Sequence, residues 1–274
     1  DWYAKHMGLH TQRQWVGHWP RRSPHHFMWL ANRVGEVQTV TTEAGWNPNG
    51  CILQGLSDAD KEACPARRQM LKLTTAHTDA KVFTIEGFLN DAEVNHILEL
   101  GQKRLKATYQ SRSTTGGFKS NTRTSSNTWL TRYSSPAMDR IYRRIEDMLR
   151  LSPGQLDGRK FANCAENMQF VHYTAGQEYS AHYDWDVGKY PPRQRWATLL
   201  FNLVDQNGLT NLVGGKTSFP HLGPLDVYAG RGNVALFYNM LEDGNSDVFG
   251  LHAALPPTQG DKWIANLWIW EPMH

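Results

Sequence analysis

The sequence predicts a mainly β protein of the α+β class, with a double-stranded β-helix (jelly-roll) core and flanking N-terminal helices. After residue 163 the chain consists of short apolar runs separated by Gly and Pro turns, the pattern of a sandwich or barrel. Two amphipathic segments of helical period precede these runs. Because the helices come first and the strands after, we expect the helices to pack on the outside of the β core.

Eight apolar runs supply the predicted strands of the core. They are ENMQFVHYT, EYSAHYDWD, RWATLLFNLV, GKTSFP, LDVYA, NVALFYNM, GLHAAL and KWIANLWIW. Each is five to ten residues long and is bounded by turn-forming residues, as strands of small β proteins are. A further run, AKVFTIEGFL, alternates like a strand and comes directly before the first helix.

Capping signals mark the start of both predicted helices. In NDAEVNHILELGQKRL, Asn90 and Glu93 have the spacing of a capping box, and the apolar residues behind them share one face. In SPAMDRIYRRIEDML, Ser135 is the expected N-cap and Pro136 the first helical residue. The polar stretch 111–127 between the two helices is too rich in Ser, Thr and Gly to belong to the core.

The chain divides by composition near residue 79. Residues 1–79 form a Trp- and His-rich N-terminal extension of unknown role, without sustained helical or strand periodicity. Two interpretations stay open for it, a partner-binding extension and, favoured, irregular chain that is wrapped on the main domain with tryptophans as anchors. Residues 80–274 are predicted to be the main domain, with helical support in 80–162 and the jelly-roll core in 163–274.

Charge, hydropathy and cysteine count exclude several classes of protein. A net charge of +3 is too small to argue for nucleic acid as a partner, and no apolar run is long enough to span a bilayer. The chain begins at Asp1, so whether a signal or anchor segment has been removed stays open. Three cysteines make neither a disulfide framework nor a four-cysteine zinc site; Cys51 and Cys64 are either paired or free thiols.

A His-x-Asp pattern occurs twice, and we interpret the second copy as a metal site. Residues i and i+2 of a strand share a face, so His182 and Asp184 in EYSAHYDWD can reach one ion. Two protein ligands hold a divalent metal poorly, and the best third ligand is His252 on a later strand. Two His and one carboxylate form the facial triad of non-haem Fe(II) oxygenases. A hydrolytic zinc site stays open, although no general base for it is evident. The earlier copy, His77-Thr78-Asp79, is predicted to be a boundary turn.

Lys262 follows His252 by ten residues, with a PPTQG turn between them. We therefore expect Lys262 to lie on the returning strand, near the triad. A lone cation inside a barrel requires an anionic partner, and where no protein carboxylate supplies it, an anionic cosubstrate does.

Several linked motifs resemble those of the 2-oxoglutarate- and Fe(II)-dependent prolyl 4-hydroxylases of the collagen and plant cell-wall type. They are VHYTAGQEYSAHYDWD, RWATLLFNLVD, GGKTSFP and GNVALFYNMLEDGNSDVFGLHAALPPTQGDKWIANLWIWEP, with AKVFTIEGFLNDAEVNHILELGQKRL and SNTRTSSNTWL upstream. The resemblance covers about residues 80 to 274, in the family's order, and the first 79 residues have no counterpart in it.

The resemblance implies a role for each of ten residues. His182, Asp184 and His252 would bind iron, and Lys262 would pair with the distal carboxylate of 2-oxoglutarate. The remaining six would serve cosubstrate and substrate: Tyr173 and Thr198 help Lys262, Trp268 and Tyr183 line the pocket, and Arg123 and Ser125 belong to a loop that closes over the peptide.

The resemblance also implies a reaction and its cofactors. We expect Fe(II), 2-oxoglutarate, O2 and ascorbate to take part, with succinate and CO2 as products. The expected substrate is a proline in an extended polyproline II peptide or protein. The same chemistry on a lysyl residue or a small molecule stays open, as does a non-catalytic jelly-roll binding module. The resemblance favours a location in the lumen of the endoplasmic reticulum or Golgi, with a cytoplasmic location left open.

Overall fold

The computed structural model describes residues 26–46, 68–112, 124–157, 164–185, 194–205, 211–223 and 225–271, with the backbone alone for 108–112. Within these ranges the chain forms fourteen strands, two α-helices and two short 3-10 helices. The α-helices are α1 (Asp91–Arg112) and α2 (Pro136–Met148), and the 3-10 helices are Arg132–Ser134 and Val248–Gly250. The strands are β1 (Val37–Glu43), β2 (Arg68–His77), β3 (Val82–Ile85), β4 (Ser126–Leu130), β5 (Met168–Tyr173), β6 (Tyr179–His182), β7 (Arg195–Asn202), β8 (Val213–Gly214), β9 (Thr217–Phe219), β10 (Leu225–Val227), β11 (Val234–Tyr238), β12 (His252–Ala254), β13 (Pro257–Gln259) and β14 (Lys262–Trp270).

Two antiparallel sheets build the core. The larger has eight strands in the order β1-β2-β3-β11-β7-β14-β5-β4, the smaller has four in the order β10-β9-β12-β6, and β13 pairs with β8 beside them. Leu200, Phe237 and Ile264 of the large sheet share one buried cluster with Phe219 and Ala254 of the small sheet. The two sheets therefore face each other as in a jelly roll, and the predicted fold class is confirmed. All eight predicted core strands form.

The helices cover the opposite face of the large sheet. Ile97 of α1 and Ile141 of α2 are buried in one cluster with Leu199, Leu236 and Leu267 of the central strands. Neighbouring residues of a strand point to opposite faces, so each central strand packs against helices on one side and the small sheet on the other. Within the described ranges, no helix combines the length and the apolar character needed to cross a membrane.

Both predicted helix starts are present. The Asn90 side chain accepts from the Glu93 backbone N–H at 2.9 Å, and the Glu93 carboxylate accepts from the Asn90 backbone N–H at 3.1 Å. The Ser135 hydroxyl accepts from the backbone N–H of Met138, and Pro136 is the first residue of α2. Gly101 lets α1 approach β5 closely, because a Cβ there would lie 2.4 Å from the ring of Phe170.

Two strands lie in the region for which the sequence shows no strand periodicity. β1 and β2 pair along their length, and β2 pairs with β3, so both extend the large sheet. In β2, Leu71 and Leu73 are buried, whereas Met70, which directly precedes Leu71, is apolar and yet 68% exposed. Because Met70 is apolar although it faces solvent, the sequence of β2 does not show a clear alternation of apolar and polar residues. The boundary at residue 79 stays a prediction, and β2 and β3 lie on either side of it.

A buried ion pair joins the helices to this N-terminal part. Arg144 of α2 lies 2.7 Å from Glu93 of α1, and both side chains are fully buried. Arg144 also donates to the backbone oxygens of Glu43 and Phe88, and Glu93 accepts from the backbone N–H of Trp46. The pair is tolerated because nearly every polar atom of both groups has a partner.

We expect Arg144→Met to lower the free energy of unfolding by about 3–5 kcal/mol, because it leaves the Glu93 carboxylate buried without its counter-ion. Urea unfolding measures this change. Arg143→Met is the matched control on the same helix; its side chain is 46% exposed where it pairs with Glu43 and Asp139, so the expected cost is below about 1 kcal/mol. Equal costs for the two variants would contradict the structural role of the buried pair.

Candidate active site

Three metal-ligating side chains converge between the two sheets. β6 and β12 pair with His182 directly opposite His252, and the two ring centroids lie 4.4 Å apart. Asp184 is placed between them, with Oδ1 at 3.7 Å from Nε2 of His182 and Oδ2 at 3.6 Å from Nε2 of His252. One ligand atom from each residue lies within 4.8 Å of the others. A single divalent ion fits this arrangement.

Both imidazoles are held in the tautomer that metal binding needs. Nδ1 of His182 is 2.8 Å from the backbone oxygen of Ser180, and Nδ1 of His252 is 2.9 Å from that of Gly250. A carbonyl oxygen only accepts, so Nδ1 carries the proton in each ring. Nε2 then carries the lone pair, and it is the atom that faces Asp184.

Asp184 is buried and ionised. Burial alone would raise the pKa of its carboxyl, but His252, His182 and a hydrogen bond from Thr198 outweigh that effect and lower it. The Thr198 hydroxyl donates to Oδ2 at 2.7 Å, and the side-chain amide of Asn239 donates to the Thr198 oxygen at 2.9 Å. The carboxylate is thus in the charged form that a metal ligand requires.

Asp184 does not lie on the strand that carries His182. The sequence predicts one extended strand through both residues, whereas β6 ends at His182 and Asp184 follows in a bend. Its hydrogen bond to Thr198 of β7 explains the difference, because the bend turns the carboxylate away from the small sheet and toward the large one.

Lys262 is a buried cation for which the described residues supply no counter-ion. It begins β14 opposite Tyr173 of β5, is 1% exposed, and Nζ lies 5.2 Å from the centre of the Tyr173 ring. Nζ makes no hydrogen bond to any described residue. Burial lowers the pKa of Lys262 to about 7. The loop at Gly215 closes over the side chain, since a Cβ there would lie 3.2 Å from Cδ of Lys262. Such an ammonium group is satisfied only by an anion that enters the barrel.

The other predicted pocket residues are found at different depths. Tyr173 and Trp268 are buried in the large sheet, at 1% and 6% exposure. Tyr183 lies in the sequence between His182 and Asp184 and is half-buried. Its ring is 4.4 Å from that of Trp185. Ser125 comes just before β4 at the edge of the sheet, and Arg123 lies outside the described residues.

The Thr198 hydroxyl has a different partner from the expected one. The sequence places it beside Lys262 as a helper for the cosubstrate, whereas its proton is donated to Asp184. Thr198 is therefore in position to orient a metal ligand. A share in cosubstrate binding stays a prediction.

Sequence reasoning overlooked Arg195, which supports the site from β7. It forms a two-pronged ion pair with Glu166, with distances of 2.6 and 3.0 Å. Its guanidinium carbon lies 4.0 Å from the centre of the Trp268 ring, and Nη1 donates to the backbone oxygen of Asp184 at 3.4 Å. A basic residue at the start of an apolar strand usually ends in solvent, so the sequence carried no distinguishing signal. Asn239 was overlooked for the same reason.

Comparison with known proteins agrees with this geometry. Residues 168–270, which include the triad and Lys262, match the family model of the 2OG-Fe(II) oxygenase superfamily. The chain belongs to this superfamily, whose members use Fe(II), 2-oxoglutarate and O2.

Within the superfamily, the chain is similar to proteins named prolyl 4-hydroxylases. It is 30% identical over 199 residues to the prolyl 4-hydroxylase subunit alpha-1 of Bos taurus, which covers 70% of this chain and 34% of that protein. It is 29% identical over 213 residues to the probable prolyl 4-hydroxylase 3 of Arabidopsis thaliana, covering 70% of this chain and 69% of that protein. The chain thus spans only about a third of the length of the animal relatives.

A solved structure shares the fold. The viral collagen prolyl hydroxylase of Paramecium Bursaria Chlorella virus-1, in complex with 2-oxoglutarate, aligns with a TM-score of 0.53 and 27% identity. The alignment covers 69% of this chain and 95% of that one. The jelly-roll core is therefore common to both proteins.

Burial of Lys262 predicts a pH dependence of stability. The folded-state pKa of about 7 lies below the ordinary value of 10.5, so between these values the unfolded chain holds one proton more. Raising the pH through this window therefore favours the folded state, by up to about 1.4 kcal/mol per pH unit. Urea unfolding of the protein without metal and cosubstrate, at about pH 7.5 and about pH 9, measures the slope.

The Lys262→Met variant isolates this contribution, because other titrating groups affect both proteins alike. We expect the difference in unfolding free energy, wild type minus variant, to increase from the lower to the higher pH. A difference that stays constant with pH would show that the Lys262 ammonium group is compensated in the folded protein.

Proposed function

We propose that this chain is a 2-oxoglutarate- and Fe(II)-dependent dioxygenase domain that hydroxylates prolyl residues in peptides or proteins. The observation that carries this proposal is a largely buried His182–Asp184–His252 cluster together with the buried Lys262 ammonium group, which has no hydrogen-bond partner among the described residues. The three-residue cluster binds a divalent metal and leaves coordination positions open. The Lys262 ammonium group binds an anion inside the same barrel.

His182, Asp184 and His252 are the proposed iron ligands. Their donor set of two imidazoles and one carboxylate is that of non-haem Fe(II) oxygenases; a catalytic zinc ion can use the same ligands, but a hydrolytic zinc site would also need a general base, and none is evident. When bound, the iron supplies oxidative decarboxylation of 2-oxoglutarate to succinate and CO2, coupled to hydroxylation of a substrate C–H bond. Ascorbate is the proposed reductant that keeps the iron ferrous. The protein holds Asp184 ionised, and the carbonyl partners of Nδ1 leave Nε2 of both imidazoles directed toward the metal position.

Lys262 is the proposed partner of the distal carboxylate of 2-oxoglutarate. An anion beside Nζ raises the pKa of Lys262 from its lowered value, so binding at mildly alkaline pH takes up a proton. Tyr173 lies against the same ammonium group, and Trp268 lies on the strand that Lys262 begins. We propose that Tyr173, Trp268 and Thr198 complete the wall of this pocket.

The proposed substrate is a proline in an extended polyproline II segment. The relatives that support this are named prolyl 4-hydroxylases and a collagen prolyl hydroxylase. We propose that Tyr183 lines the peptide site and that Arg123 and Ser125 belong to a segment that covers the peptide. A preformed polyproline II shape lowers the entropic cost of ordering such a substrate in a groove.

We further propose that residues 80–274 are the catalytic domain and that residues 1–79 support it. The pairing of β1 with β2 and of β2 with β3 favours a supporting role, as do the hydrogen bonds of Trp29 to Tyr238 and Met148. A lumenal location in the endoplasmic reticulum or Golgi is proposed from the likeness to collagen-type and plant enzymes. Cys51 and Cys64, whose pairing would bear on this, lie outside the described residues.

Replacing His182 or Asp184 with Ala should abolish 2-oxoglutarate turnover, because two remaining ligands hold the metal poorly. Release of CO2 from 2-oxoglutarate, measured with iron and ascorbate, is the readout, and a chelator should have the same effect as either substitution. His77→Ala and Asp79→Ala are matched controls from the other His-x-Asp sequence and should retain full turnover. Full turnover by His182→Ala or Asp184→Ala would refute the metal assignment.

A peptide panel tests the substrate. We expect poly-proline, collagen-like or Ser-Pro-rich peptides to stimulate CO2 release and to gain the mass of one oxygen atom on proline. The same mass gain on a lysine, or on a small molecule in place of any peptide, would keep the chemistry and reject the prolyl substrate. Peptide binding without 2-oxoglutarate consumption would instead favour a non-catalytic module.

Lys262→Met should raise the KM for 2-oxoglutarate by about 30-fold or more, equivalent to about 2 kcal/mol, because it removes the proposed charge-assisted contact to the distal carboxylate. Steady-state kinetics with varied 2-oxoglutarate measure this effect. Lys72→Met, on the exposed face of β2, is the control and should leave the KM unchanged. An unchanged KM in Lys262→Met would show that another group binds the carboxylate.

A further inference from the structure

Asn239 connects to the metal-binding carboxylate through one intervening side chain. It directly follows β11 and is fully buried. Its amide nitrogen donates to Oγ1 of Thr198 at 2.9 Å, and Thr198 donates to Oδ2 of Asp184 at 2.7 Å. The three side chains form a chain of hydrogen bonds that ends on the proposed metal ligand.

Chemistry fixes the direction of this chain of hydrogen bonds. A metal-binding carboxylate has no proton and only accepts, so the single proton of the Thr198 hydroxyl must point to Asp184. Thr198 then offers only lone pairs to Asn239, which must present its NH2 group rather than its oxygen. Without that donor, the hydroxyl can rotate about its C–O bond, and no other described side chain on the Asn239 side is hydrogen-bonded to it.

The oxygen of the Asn239 side-chain amide supports this orientation, in which the NH2 group faces Thr198. This oxygen, Oδ1, is buried and accepts no hydrogen bond from the described residues. Natural proteins rarely leave a buried polar atom without a hydrogen bond unless there is a reason for it. For Asn239 Oδ1 the reason would be the function of the NH2 group on the same amide. Here the unsatisfied oxygen is the consequence of directing the NH2 group to Thr198.

Asn239 also lies between the two segments that carry metal ligands. A Cβ on Gly250 would be 3.9 Å from Oδ1 of Asn239, and the Gly250 carbonyl holds Nδ1 of His252. The Asn239 backbone oxygen accepts from Asp247 at 2.8 Å, and the Asp247 backbone oxygen accepts from the Trp185 indole, next to Asp184. Asn239 is therefore packed beside both segments, while its side chain is linked to a metal ligand by hydrogen bonds through Thr198.

We propose that Asn239 is a positioning residue of the metal centre, which acts through Thr198 to hold one oxygen of Asp184 and leave the other for the metal. The inference rests on the proposed metal site. It assigns to Asn239 a contribution to metal affinity, separate from its contribution to folding. Loss of such a supporting hydrogen bond usually costs about 10- to 100-fold in metal affinity or activity.

The test is a double-mutant cycle on metal affinity. The dissociation constant for Mn(II) is measured without substrate, from the electron paramagnetic resonance signal of the unbound ion, for the wild type, Asn239→Leu, Thr198→Val and the double variant. We expect each single substitution to weaken binding by about 10-fold or more. Because Asn239 acts through Thr198, the double variant should bind no more weakly than Thr198→Val alone.

Further variants separate positioning from a general loss of stability. Thr198→Ser keeps the hydroxyl, so Asn239→Leu should still weaken binding in that background. Thr75→Val removes an equally buried hydroxyl from β2 of the same sheet and should leave Mn(II) affinity unchanged. Should Asn239→Leu fail to fold, Asn239→Ala, which only removes atoms, takes its place in the cycle.

The outcomes distinguish this inference from the proposed function. His182→Ala should eliminate Mn(II) binding; if it does not, the metal site itself is wrong. If His182→Ala eliminates binding while Asn239→Leu leaves the dissociation constant unchanged, only the role of Asn239 is refuted. Additive losses in the double variant would likewise refute action through Thr198.

Discussion

The pairing of β6 with β12 is the constraint on which the site depends. It sets His182 opposite His252, and in an antiparallel sheet directly opposed side chains are within about 5 Å of each other. Neither residue can contribute to a three-ligand site without the other, and the two are separated by most of the jelly roll in sequence. The large sheet then supplies Asp184 with its partner Thr198 and presents Lys262 from a neighbouring strand. Metal site and anion site are thus products of one sheet-on-sheet packing.

The interior of the barrel holds a buried cation that the described residues leave without a counter-ion. Asp184 is ionised and buried beside both imidazoles, with Nη1 of Arg195 4.0 Å from its Oδ1, while Lys262 is buried with no carboxylate within hydrogen-bonding reach among the described residues. Elsewhere the fold does pair its buried charges, as Arg144 and Glu93 show. The contrast is informative, because isolated buried charges lower stability and are retained where a ligand completes them.

The sequence predicts those parts of the protein whose local residue pattern directly reflects their place in the fold. Core strands buried on both faces appear as apolar runs, and the capping residues Asn90 and Ser135 mark helix starts by their own chemistry. The sequence did not predict β1, because most of its residues alternate between exposed and half-buried positions. Apolar and polar residues therefore do not alternate clearly along this strand. The bend at Asp184 and the roles of Arg195 and Asn239 depend on contacts between residues far apart in the chain. Such contacts leave no periodic signal in a single sequence.

Pairing across residue 79 has a consequence for how the protein can be shortened. β3 is held between β2 and β11, and Val82, Phe83 and Ile85 are fully buried there. Deletion of everything before residue 80 would leave this strand at the border of the sheet, with apolar side chains and unpaired backbone groups open to a second molecule. Exposed edges of this kind are the usual starting point of intermolecular sheet formation. A soluble fragment therefore has to begin upstream of β2, although the catalytic motifs begin well downstream of it.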